Sequence, residues 1–146
     1  MTTLIVGSGF PYSTISAAMT DASPGDTILL AAGYSDETAT VSKEDITIEG
    51  DISSSGIVLH LSPGVTGVTL GGSAPIDVMD SGSSGLITVG NGNNYIAAGD
   101  GANTISAGSG NNFITASDAI DTISAMGGNN MIEAGGGANT VTTGLG

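Results

Sequence analysis

The chain has no cysteine, so no disulfide staples the fold and its stability must come from packing and hydrogen bonds alone. Basic side chains are nearly as scarce. Lys43 stands alone against 14 acidic residues, and the formal charge over 146 residues is −13. Such a surface repels nucleic acid and anionic membranes, which removes nucleic-acid binding from consideration. The acids are scattered rather than gathered in a block, as expected for the solubility of a long, thin surface. The opening residues MTTLIVGSGF contain neither a basic n-region nor an apolar run of membrane-spanning length, so neither a Sec-type leader nor membrane insertion is expected from them. The length suits one domain.

What the chain does have is repetition. From Gly90 onward it reads GNGNNYIAA, GDGANTISA, GSGNNFITA, SDAIDTISA, MGGNNMIEA and GGGANTVTT, followed by GLG. A nine-residue unit with one aliphatic position cannot bury that side chain alone and must stack on its neighbours, which is the signature of a solenoid. The final residues stop where a further unit would begin, so a fragment of a longer protein, or an open coil end that stacks on something, is expected.

Before Gly90 the pattern is less regular. Ile15, Ala18, Met19 and Ala22 have helical spacing within Ser13 to Ser23, with Ser13 as N-cap and Pro24-Gly25 closing the segment. Short strand signals follow at Asp26 to Leu30, Glu37 to Val41 and Ile46 to Gly50. They continue through Ile57, Leu59 and Leu61, then Val65, Val68 and Leu70, Ile76 and Val78, and Leu86-Ile87, separated by glycine and serine turns. The expected fold is all-β: a right-handed parallel β-helix or β-roll solenoid with one short N-terminal capping helix. The single domain, 1–146, divides into helix-capped opening coils (1–50), irregular coils (51–89) and regular nonapeptide coils (90–146).

Two resemblances sharpen this. Tyr12 to Gly50 resembles the opening of pectate-lyase-like right-handed parallel β-helices, in which a helix covers the first coil and a P-G-D-T-I strand begins it. Gly90 to Gly146 resembles the nonapeptide repeats of secreted bacterial RTX proteins, G-G-x-G-x-D-x-U-x, in which two units make one coil and the aspartates bind calcium between coils. This chain departs from that pattern at the aspartate position, which reads Asn94, Asn103, Asn112, Asp121, Asn130 and Asn139. Stacked aspartates roughly 4.8 Å apart need a dication to relieve their repulsion. Asparagines do not, because each amide both donates and accepts and can form a metal-free ladder. No cofactor is therefore required. Calcium remains possible at Asp100, Asp118 and Asp121, in oxygen-rich turns.

Ile96, Ile105, Ile114, Ile123, Ile132 and Val141 should point inward as two aliphatic stacks. One outer face carries the hydroxyl pairs Thr104 and Ser106, Thr122 and Ser124, Thr140 and Thr142. That ladder is what threonine's β-propensity would give, and it is also similar to the ice-binding ladders of antifreeze β-solenoids. The other face carries Tyr95, Phe113 and Met131, an apolar stripe open to lateral packing.

Catalysis fits poorly. The enzymes with the pectate-lyase-like fold use basic residues with acidic or calcium partners, whereas here there is no arginine and one lysine. His60 alternates with inward Ile57, Leu59 and Leu61, so it faces solvent without a nucleophile beside it. Asp77 and Asp80 are close in sequence but lack the setting of a glycosidase pair. The glycine-rich units precede no helix and are not phosphate loops. The expected function is a non-catalytic structural module of a larger secreted or cell-surface bacterial protein, serving adhesion, spacing or self-association through the open C-terminal coil or the apolar stripe. The alternatives are a module binding calcium or ice and ordered water, and a remnant of a polysaccharide-active β-helix enzyme.

Overall fold

The computed structural model describes residues 1–80, 82 and 85–145, so Ser81, Ser83, Ser84 and Gly146 lie outside the description. Two parallel sheets face each other across an aliphatic core. The eight-stranded sheet contains β1 (Thr3–Val6), β2 (Thr27–Leu30), β4 (Thr47–Gly50), β6 (Val68–Gly72), β8 (Leu86–Val89), β10 (Thr104–Ala107), β12 (Thr122–Ala125) and β14 (Thr140–Thr143), in that order. The six-stranded sheet contains β3 (Ser35–Val41), β5 (Ser55–Leu61), β7 (Ile76–Asp80), β9 (Tyr95–Ala97), β11 (Phe113–Thr115) and β13 (Met131–Glu133). Successive strands alternate between the sheets, so each coil adds one strand to both, which is the parallel β-solenoid expected from the repeats.

The core tapers along the stack. Strand β5 buries Ile57, Leu59 and Leu61, whereas β9 and β11 each bury one isoleucine, Ile96 and Ile114. Alternation explains it: a seven-residue strand turns three or four side chains inward and a three-residue strand only one. Ile105 and Ile123 stack in register on the opposite sheet, and the four isoleucines are at most 1 % exposed. Each such side chain removed from water contributes about 1.5–3 kcal/mol.

Two sequence expectations need correction, and one strand is added. The helix α1 (Ile15–Asp21) is capped by Thr14 rather than Ser13. Thr14 has extended backbone, and its hydroxyl accepts a hydrogen bond from the Ala17 N–H at 3.1 Å, the geometry of an N-cap. Val141, expected in the core, is 44 % exposed. It continues the Ile105–Ile123 column in register, but no described coil lies above it, so the position is inward without being covered. Strand β1 was not anticipated: its Thr3–Val6 register with Thr27–Leu30 extends the eight-stranded sheet beneath the first predicted strand.

Ile15, Ala18 and Met19 bury the inner face of α1. Glu37 holds the helix start, its carboxylate accepting the N–H groups of Ile15 at 2.7 Å and Ser16 at 3.0 Å. Lys43 holds the other end, its ammonium donating to the carbonyls of Thr20, at 2.8 Å, and Ala22. An anion at the N-terminus and a cation at the C-terminus both match the helix dipole, and the single lysine is thereby committed to structure.

Candidate functional site

The repeated turns are where the chain concentrates its buried polar groups. Asn94, Asn103, Asn112 and Asp121 are all at most 4 % exposed. Along one edge Asn94, Asn112 and Asn130 stack, and along the other Asn103, Asp121 and Asn139. Each side-chain Oδ1 accepts the backbone N–H of the residue one coil earlier: Asn112 from Asn94 at 3.2 Å, Asn130 from Asn112 at 3.0 Å, Asp121 from Asn103 at 2.8 Å and Asn139 from Asp121 at 2.8 Å. The ladder begins before the regular repeats, since Asn94 and Asn103 accept from Ile76 at 3.1 Å and Gly85 at 3.0 Å.

This fixes what the amide nitrogens do. A backbone N–H can only donate, so the atom facing it must be the oxygen, and Nδ2 turns toward the carbonyls of its own turn. Asn103 donates to Gly99 at 3.0 Å and Gly101 at 2.8 Å, Asn112 to Gly108 at 3.3 Å and Gly110 at 3.1 Å, and Asn139 to Ala134 and Gly136, each at 2.8 Å. Asn94 and Asn130 donate to Gly92 at 2.8 Å and Gly127 at 2.9 Å. The amide-to-amide chain expected from sequence is present on the first edge, from Asn94 to Asn112 at 3.1 Å and from Asn112 to Asn130 at 3.0 Å. The wider device, however, is side chain to backbone, because carbonyls of the same turn draw every nitrogen, one at Asn94 and two or more at Asn103, Asn112, Asn130 and Asn139.

Asp121 differs. It is fully buried, its Oδ1 takes the Asn103 N–H, and its Oδ2 has no hydrogen-bond partner. The other two acidic candidates lie elsewhere: Asp100 and Asp118 sit on exposed turns, and Asp118 accepts the Gly136 N–H at 3.0 Å. Among the described residues no group of three His, Cys, Asp or Glu side chains is placed to hold a metal ion.

A second, outer ladder escaped the sequence reading. Asn93 accepts from the Asn111 N–H and Asn111 from the Asn129 N–H, both at 2.8 Å. The signal was the first asparagine of each NN pair, recurring every 18 residues. A lateral groove of about 1170 Å³ was also missed; it runs along the turns leaving β1, β2, β4 and β6, between apolar Ile5, Phe10 and Leu29 and acidic Glu49 and Asp51. The Ser53 hydroxyl and N–H hold the Asp51 carboxyl below the usual carboxylate range. Near the first coil, the backbone N–H groups of Ser23 and Thr2 do the same for Asp26. Burial, with a hydrogen bond to Glu37, pushes the Tyr34 phenol up.

The hydroxyl pairs stand in register, Thr104 with Thr122 and Thr140, and Ser106 with Ser124 and Thr142. The second column reaches much further than the repeats. Pairing carries it back through Thr88, Thr69, Thr47, Thr27 and Thr3, so every strand of the eight-stranded sheet presents a hydroxyl at one outward position. The outer face of the six-stranded sheet keeps no such identity: its matching column reads Thr38, Val58, Asp77, Tyr95, Phe113 and Met131. Tyr95 and Phe113 stack with ring centroids 5.3 Å apart and planes 3° from parallel. Tyr95 is 37 % and Met131 59 % exposed. His60 lies exposed on this face, and Asp77 and Asp80, three positions apart on one strand, turn to opposite faces.

Residues 88–118 and 115–146 match the family model of the RTX calcium-binding nonapeptide repeat, described as four copies. The matched stretch is the regular part of the solenoid. No curated protein and no solved structure matches the chain, and the likeness of the first coils to pectate-lyase-like proteins expected from the sequence is not shown by the family match, which begins at residue 88.

Proposed function

We propose that this chain is a non-catalytic structural solenoid module of a larger secreted or cell-surface protein, acting as a stiff spacer that associates laterally with a second copy. One observation carries the reading: both sheets and the aliphatic core run through the whole described stack, and the asparagine ladder ties coil to coil. A rod built this way carries its core within itself up to the last described rung, where inward Val141 is left 44 % exposed. The apolar stripe of Tyr95, Phe113 and Met131 is the surface for the second copy, since three large apolar side chains in register lose most by staying in water. The charge of −13 opposes that contact at low salt. Sedimentation over a concentration series should therefore show association that strengthens with salt and is lost in Phe113→Glu. A monomer at high concentration in high salt refutes the lateral contact.

A second reading, binding of ice or ordered water, is favoured by the eight-strand hydroxyl column. It gives a flat polar lattice with a repeat of roughly 4.8 Å along the stack. Thr69→Tyr and Thr122→Tyr place bulk in and beside that column on surface positions. If the parent inhibits ice recrystallisation and the variants do not, the column is the binding face; unchanged ice growth with the parent removes this reading.

A further inference from the structure

The matched family is described as calcium-binding, yet the turn carbonyls of this chain are already engaged. A calcium ion takes six to eight oxygen ligands at about 2.3–2.6 Å. At the five asparagine positions an amide N–H points at those carbonyls, with the positive end of its dipole where a cation would have to sit. The residues at these five positions do not fit the ion. We infer that this roll has exchanged calcium for amide protons at five of its six ladder positions and keeps a single cation position, at Asp121.

The argument for Asp121 is one of equivalence. Its Oδ1 makes the same bond as every ladder oxygen, so its Oδ2 occupies the place that Nδ2 takes in the others. Asn103 and Asn112 donate to the carbonyls four and two residues before them. The corresponding carbonyls for Asp121 belong to Ser117 and Ala119. An acceptor oxygen thus stands where a donor belongs, in a fully buried residue, and Oδ2 has no partner. The next coil lies tightly over the two carbonyls: a Cβ on Gly135 would come within 2.3 Å of the Ser117 oxygen, and one on Gly137 within 2.0 Å of the Ala119 oxygen. Oδ2 and the two carbonyls offer three oxygens, and because Ser117 and Ala119 are only half-buried beside exposed Asp118, waters complete the coordination shell of a cation that supplies what the missing amide protons supply elsewhere.

Calorimetric titration of the full chain with calcium chloride, after chelator treatment, tests this together with thermal unfolding. The expected result is one calcium per chain and a rise in Tm on saturation. Asp121→Asn should abolish both responses and melt in chelator at or above the parent's temperature. In the opposite direction, Asn103→Asp with Asn139→Asp should lower Tm in chelator and raise the calcium stoichiometry above one. Two or more ions bound by the parent, retention of calcium by Asp121→Asn, or no uptake by the parent at millimolar calcium would each overturn the inference.

Discussion

Gly33 and Gly72 have nearly the same left-handed backbone, with φ of +75° and +79°, and alanine at the two positions separates the cost of that conformation from the cost of stacking coils. An L-residue in this region costs about 1–2 kcal/mol, a term common to both sites. A Cβ on Gly33 meets nothing within 4 Å, but a Cβ on Gly72 would lie 2.1 Å from the carbonyl oxygen of Gly50 on the strand below. Both sides of that contact are backbone, so it can be relieved only by parting the rungs, and overpacking of this kind costs about 1–3 kcal/mol. The same Gly50 carbonyl accepts the N–H groups of Ser73 at 3.0 Å and Ala74 at 3.2 Å, bonds that hold the turn between β6 and β7. Weakening them adds about 1 kcal/mol. The expected losses are about 1–2 kcal/mol for Gly33→Ala and about 4 kcal/mol for Gly72→Ala, or Tm drops of roughly 3–6 °C and 12 °C at about 3 °C per kcal/mol. Far-UV circular dichroism melts of the two variants and the parent measure the difference. Equal drops would refute the reasoning, because conformation alone would then account for both glycines.

The core should show the same dependence on coverage. Ile114→Ala, in a fully buried rung, is expected to cost about 3–4 kcal/mol in urea unfolding, and Val141→Ala, on the uncovered rung, less than about 1 kcal/mol. Stability should also fall in acid. Asp26 and Asp51 have carboxyls held below the usual range by hydrogen bonds in the folded state, so their contribution is complete above the unfolded carboxylate value of about 3.9 and is lost as the pH drops through the lower folded values. Urea midpoints measured downward from neutral pH should hold until about pH 4 and then decline, with a shallower decline in Asp26→Asn.

The nine-residue period and its one aliphatic position determined the solenoid, because a short unit with a single apolar side chain has no other way to leave water. The same reasoning determined which residues form the core rungs, since alternation along a strand fixes their parity once the strand is located. Tertiary structure decided what depends on neighbours a full coil away. The first strand, Thr3–Val6, contains no repeat and became visible only through its pairing with Thr27–Leu30. The exposure of Val141 follows from its place on an uncovered rung, although its sequence unit resembles the others. Asp36 and Asp45 adopt left-handed backbone, φ 60° and 53°, beneath left-handed Gly56 and Gly67, a stacking of turns that coils of unequal length hide in the sequence. The hydroxyl column was legible as three rungs where the period is constant, and as eight only after strand pairing aligned Thr3, Thr27, Thr47, Thr69 and Thr88 with it. Asp121 divides in the same way. Sequence marked it as the one acid among asparagines, while the partnerless state of its Oδ2 was set by the coil that buries it and by the backbone N–H that claims its other oxygen.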